Sequence, residues 1–199
     1  NLWFSDEANA TYTYGHISDW NVSLVTDMEE AFKDRPTFNE DISGWEVSNV
    51  TSMRGLFHNA TSFNQNIGEW EVGAVTDFNS IFKGAAAFDQ AIGDWDTSSC
   101  SNMGNMFADA LTFNQPIGDW ETSNTNTMYG IFWGASSFNQ DISSWDVSSL
   151  QIMSHMFRGA TSFNQPIGNW NVSSATSMYA MFNHASAFNQ SIADWDVSA

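Results

Sequence analysis

The sequence predicts an α/β solenoid of about eight 25-residue coils, with a parallel sheet on one side and short helices on the other. Three observations lead there. Tryptophan stands at 20, 45, 70, 95, 120, 145, 170 and 195, always 25 residues apart. Isoleucine precedes each tryptophan by three, from Ile17 to Ile192. No insertion interrupts the period. Equal units that meet mainly their neighbours stack into one continuous core. At the spacing of adjacent strands, such a stack spans about 40 Å.

The elements follow in chain order. Residues 1–12 lie outside the period and read as an N-terminal edge segment. Residues 13–199 read as the repeat solenoid. The ending "ADWDVSA" stops in mid-repeat, so the chain is expected to be a fragment of a longer protein. The opening "NLWFSDEANA" lacks the basic and apolar regions of a signal peptide. Within one coil, residues 142–166, Trp145 and Val147 alternate with Ser144, Asp146 and Ser148. That period of two predicts a short strand. Leu150, Met153, Met156 and Phe157 then follow at helical spacing. Ser148 and Ser149 are placed to cap that helix. Gly159, with Gly134 and Asn59 in equivalent positions, suits a left-handed C-cap. The "SFNQ" turn leads back to the next strand.

The recurring apolar residues are the expected core. Each coil offers Ile, Trp, Val, Met and two Phe, worth about 1.5–3 kcal/mol each when fully buried. Cys100 stands in the column of Val25, Val50 and Val75 and reads as a small core residue. Asn39, Asn64, Asn114, Asn139, Asn164 and Asn189 form a column in which Asp89 takes the remaining place. Amides stacked at strand spacing are expected to bond one another and the turn backbone as a structural ladder.

Composition limits the function. There are 23 acidic and 5 basic residues, a formal net charge of −18. Such a surface repels phosphate backbones, so nucleic acid is excluded as a partner and cations or basic partners are favoured. No apolar run is long enough for a transmembrane segment. The single cysteine rules out an intrachain disulfide.

The fuller unit, W-[DN]-V-S-x-V-T-x-M-x-x-M-F-x-x-A-x-x-F-N-Q-x-I, closely resembles the 25-residue repeat of BspA-like leucine-rich-repeat surface proteins. Its I-x-x-W-x-V-x-x-V frame parallels L-x-x-L-x-L-x-x-N. The likeness covers residues 13–199. It implies a leucine-rich-repeat-like solenoid, an extracellular or cell-surface location, and a role in adhesion or partner recognition. Departures are Arg35 for a small residue, Phe78 for Met, and Thr97 and Thr122 for Val.

Residues flanking tryptophan on a strand point away from it, toward the outer sheet face. The acidic members of those columns include Glu69, Glu71, Asp94, Asp96, Asp119, Glu121, Asp146, Asp194 and Asp196. These are the candidate binding residues. Like charges concentrated on a sheet are costly, and oxygen ligands from adjacent coils suit Ca²⁺. Asp94, Asp96, Asp119 and Glu121 are therefore the candidate calcium ligands, against the plainer reading of a solvated acidic face. No catalytic constellation is present: the four histidines do not cluster, and no nucleophile-elbow, zincin, P-loop or Rossmann pattern occurs. A non-enzymatic module is expected. Its partner would be a protein, glycan or other surface ligand, basic or bridged by a cation. The alternatives are a structural spacer or stalk, or a face binding Ca²⁺, mineral or ice.

Overall fold

The computed structural model describes residues 2–198. Asn1 and Ala199, the outer bounds of the two expected segments, lie outside it. Two helices open the chain, α1 (Leu2–Ser5) and α2 (Glu7–Tyr14). Asp6 caps α2 by accepting from the Asn9 N–H at 3.1 Å. Gly15 ends it at φ 80°, its N–H donating to Thr11 O. Trp3 packs edge-on to Trp20 and His16, while Phe4 meets Phe32 and Phe38. The helices thus cover one face of the first coil.

From Ile17 onward the chain is a solenoid of tandem coils, but their wiring differs from the expected strand and helix. Among the described residues no α-helix occurs inside the coils, the short 3-10 turn Ile17–Asp19 being the one helical piece, and β pairing between coils is limited to isolated parallel bridges. One bridge file runs Asp27, Ser52, Asp77, Asn102, Thr127, Ile152 and Ser177. The segment expected to be helical is a ladder. Met53, Gly55, Phe57 and Asn59 donate their N–H groups to the carbonyls of Asp77, Asn79, Ile81 and Lys83 in the next coil, at 3.1, 2.8, 2.9 and 2.7 Å. The intervening peptides close tight turns within the coil, as in Leu56 N–H to Met53 O and His58 N–H to Gly55 O.

Left-handed residues produce this geometry. Gly55 (φ 59°) and Asn59 (φ 58°) recur one coil later as Ser80 (φ 60°) and Gly84 (φ 70°), and so on to Ala180 and His184. A single left-handed residue breaks an α-helix, because L-residues do not propagate that conformation. Placed every fourth residue, it turns alternate peptides along the solenoid axis, where only the neighbouring coil can accept them. Repeated three-residue turns still place apolar side chains three apart on one side. The helical spacing of Leu150, Met153, Met156 and Phe157 is real, but it reports turns. Asn59, Gly134 and Gly159 are left-handed as expected, with φ of 58°, 71° and 71°.

The tryptophan flank likewise alternates inward and outward without forming a strand: Trp45 and Val47 are buried and Glu46 and Ser48 exposed. Its carbonyls close turns, as in Trp45 N–H to Ile42 O and Val50 N–H to Val47 O.

Aromatic columns fill the interior. Phe57 lies on Phe63 at 3.8 Å between centroids, and on Phe82 of the next coil at 5.8 Å, nearly parallel. Trp95, Trp120 and Trp145 follow one another at 6.5 and 6.4 Å. These are offset stacks, each worth about 0.5–1.5 kcal/mol beyond the area buried. From Trp45 to Trp170 each buried repeat indole N–H donates to the isoleucine carbonyl 28 residues back, as Trp120 Nε1 does to Ile92 O at 3.0 Å.

The departures from the repeat are each accommodated. Buried Thr97 and Thr122 donate Oγ1 to Glu121 O and Asp146 O at 2.9 Å. Phe78 stacks on Trp95 at 5.6 Å. Arg35 lies over the Phe4 ring at 4.3 Å. Cys100 is fully buried, and burial pushes its thiol up to about 12.

Candidate functional site

The asparagine column makes a ladder through the turn backbone, as expected, and not from one asparagine amide to the next. Each side-chain Oδ1 accepts the backbone N–H one coil on: Asn39 from Asn64, Asn64 from Asp89, Asp89 from Asn114, Asn114 from Asn139, Asn139 from Asn164 and Asn164 from Asn189, at 2.8–2.9 Å. Only an acceptor is required, which explains why Asp89 fits. The adjacent glutamines add a second file, as Gln140 Nε2 donates to Asn114 O and Gln165 Nε2 to Asn139 O, both at 2.8 Å. The recurring "FNQ" signalled both files, since each needs a side chain of fixed reach.

All nine carboxylates singled out beside tryptophan are exposed. Glu69, Glu71, Asp94 and Asp96 line one shallow groove of about 520 Å³, floored by Trp70 and Gly73. Glu46 joins Glu69 and Glu71 around an adjoining depression of about 440 Å³. Asp119, Glu121, Asp146, Asp194 and Asp196 continue along the coils outside that groove. Gly73 replaces the serine that other coils carry here; a Cβ at this position would stand 2.9 Å from Asp96 Oδ2.

Part of this column answers to local turn chemistry. Asp96 and Asp146 accept the N–H of Ser98 and Ser148 at 3.0 and 2.9 Å, and Asn21 and Asn171 accept from Ser23 and Ser173. These are Asx turns. The Ser98 and Ser148 hydroxyls, aided by their N–H groups, hold Asp96 and Asp146 below the ordinary carboxylate value. The D-x-S spacing was the available signal for this role. Glu69, Glu71, Asp94, Asp119 and Glu121 make no such turn.

No ion pair reaches the groove. Among the described residues the ion pairs are His16–Glu40, Lys33–Glu30 and Arg54–Glu29, all in the first coils. The carboxylates at 69, 71, 94 and 96 therefore face solvent without a counter-charge from the chain. Among the described residues no three His, Cys, Asp or Glu gather closely enough to cage a metal ion. Asp94, Asp96, Asp119 and Glu121 offer an open row of oxygens. No helix among the described residues is long and apolar enough to cross a membrane.

Three overlapping stretches, residues 3–120, 65–156 and 111–199, match the family described as Mycoplasma protein of unknown function, DUF285. The chain belongs to the DUF285 family. Overlapping matches are what a tandem repeat gives, because one family unit can be laid on several consecutive sets of coils. No curated protein matches this DUF285 chain.

Proposed function

We propose that this DUF285 chain is a non-enzymatic recognition module of a cell-surface or secreted protein, binding basic or cation-bridged partners through its tryptophan-flank face. One observation carries the reading: Glu69, Glu71, Asp94 and Asp96 converge on a groove with no positive side chain near them. Like charges held at coil spacing repel one another, and a cationic partner relieves that repulsion on binding. Such a face also raises the association rate of positively charged ligands, in a salt-dependent way. The likeness of the repeat to BspA-like surface proteins supports the adhesion role and the extracellular location. Ca²⁺ enters as a bridge, held on one side by carboxylates of the row Asp94, Asp96, Asp119 and Glu121 and on the other by oxygens of the partner, because among the described residues the row alone does not gather three of them around one ion.

The test is a binding series with a lysine-rich peptide and an acidic peptide, each with and without millimolar CaCl₂. The basic peptide is expected to bind directly, and the acidic one only with calcium. Asp94→Lys with Asp96→Lys is expected to abolish both. Binding unchanged by the double reversal contradicts the reading. A spacer would bind neither peptide.

A further inference from the structure

A second surface lies on the ladder side, and it concerns a different ligand from the acidic groove. The outward residues of the ladder vary from coil to coil. In the early coils they are mostly charged, as Glu29, Lys33, Arg54 and Lys83 are, with His58 among them. In three later coils they become aromatic. Trp133 stacks on His155 at 5.1 Å between centroids. Tyr129 and Tyr179 meet the same imidazole edge-on, at 5.4 and 5.3 Å. Arg158 lies over the Trp133 ring at 4.8 Å. Tyr179 is 74% exposed, although the core needs nothing from it.

His155 is the anomaly at the centre. It is 8% exposed, and its Nδ1 is buried without a hydrogen-bond partner. Its backbone is left-handed at φ 59°, like Glu30, Gly55, Ser80, Asn105, Gly130 and Ala180 at the corresponding positions. The left-handed backbone is shared by every coil, but the unsatisfied buried ring nitrogen belongs to His155 and points to something other than the fold.

We propose that Tyr129, Trp133, His155, Arg158 and Tyr179 form a binding platform for the sugar rings of a neutral glycan. The C–H face of a pyranose is apolar and weakly positive, which suits the electron-rich face of tyrosine or tryptophan. Arg158 supplies donors for sugar hydroxyls, and among the described residues no carboxylate pairs with it. The exposed Tyr179 packs edge-on against the His155 imidazole, so its displacement by a ligand would uncover part of that ring. A hydroxyl both donates and accepts, so it satisfies either tautomer there. Stretches 129–133, 154–158 and 179–183 contain no acidic residue, so the patch is unlike the tryptophan flank. The net charge of −18 still disfavours polyanionic glycans. Five side chains span one or two sugar rings, whereas a stable protein interface engages about 20–30 residues on each side.

The test uses the chain as it stands against immobilised neutral oligosaccharides of the gluco-, galacto-, manno- and N-acetylglucosamine series, with heparin fragments alongside. At least one neutral series is expected to bind, and the His155 imidazole resonances to shift on its addition. Tyr179→Ala, a change at an exposed site, and Arg158→Gln should each weaken that binding about tenfold or more. Asp94→Lys with Asp96→Lys should leave it unchanged, which separates this platform from the acidic groove. The proposal is overturned if no neutral series binds, if heparin is preferred, or if Tyr179→Ala binds as well as the parent. A protein ligand lost in Tyr179→Ala, with no glycan bound, assigns the patch to a protein interface instead.

Discussion

The tryptophan flank and the ladder belong to the same coils, yet they are held by different atoms. The ladder is joined through main-chain groups, as in Phe57 N–H to Ile81 O. Its outward side chains are free to change, and they run from Arg54 through Asn79 and Gly104 to Tyr129. The flank and the neighbouring "FNQ" turn are joined through side chains: the indole Nε1, the Asx oxygens and the Asn and Gln files. There the residue itself is the bond, so it recurs. Repetition in this sequence marks side-chain wiring and core, and variation marks main-chain wiring.

Substitutions can break that contrast. The largest effect is expected at an inner flank position. Trp120 is 3% exposed, stacked on both neighbours and bonded to Ile92 O. Trp120→Ala should cost about 3–5 kcal/mol, measured by denaturant unfolding. Arg54→Asn, on the outward ladder, should stay within about 0.5 kcal/mol. Equal costs would erase the distinction. A middle effect is expected in the asparagine file. Asn114→Leu leaves the Asn139 N–H without its acceptor, at a cost of about 1–3 kcal/mol. Asn114→Asp keeps an acceptor, as Asp89 does naturally, and should be close to neutral. A large loss in the Asp variant would show that the amide N–H₂ matters after all.

The smallest effect is a matter of pH. Asp96 and Asp146 are held below the ordinary value of 3.8 by their serine partners. A carboxylate depressed in the folded state stabilises it above the unfolded value, and that contribution fades as pH falls through the folded value. The window therefore opens below 3.8 and extends downward. Ser98→Ala with Ser148→Ala should lower the melting temperature slightly at pH 6 and lose that difference in stronger acid. A difference that persists unchanged there would assign the loss to something other than these turns.

The period, the inward columns and the outward acidic flank were legible because burial imposes them whatever the backbone does. Residues such as 150–157 carry a helical pattern without a helix because successive three-residue turns and an α-helix space apolar side chains alike. Left-handed positions held the distinguishing signal, but Glu30, Ser80, His155 and Ala180 disguise it where glycine would have shown it. The Asx turns show in the sequence as D-x-S, but the same aspartates also fit an acidic face, and charge alone does not tell the two roles apart. Tyr129, Trp133, His155 and Tyr179 give no periodic signal, because they occupy ladder positions whose residue changes from coil to coil.

The most direct test of this wiring is the scalar coupling carried through hydrogen bonds in amide NMR. The account predicts a coupling from the Phe82 amide nitrogen to the carbonyl carbon of Met106, one coil onward, across a bond of 3.0 Å. A coupling from Phe82 to the carbonyl carbon of Phe78 would show an α-helix in its place and contradict the account.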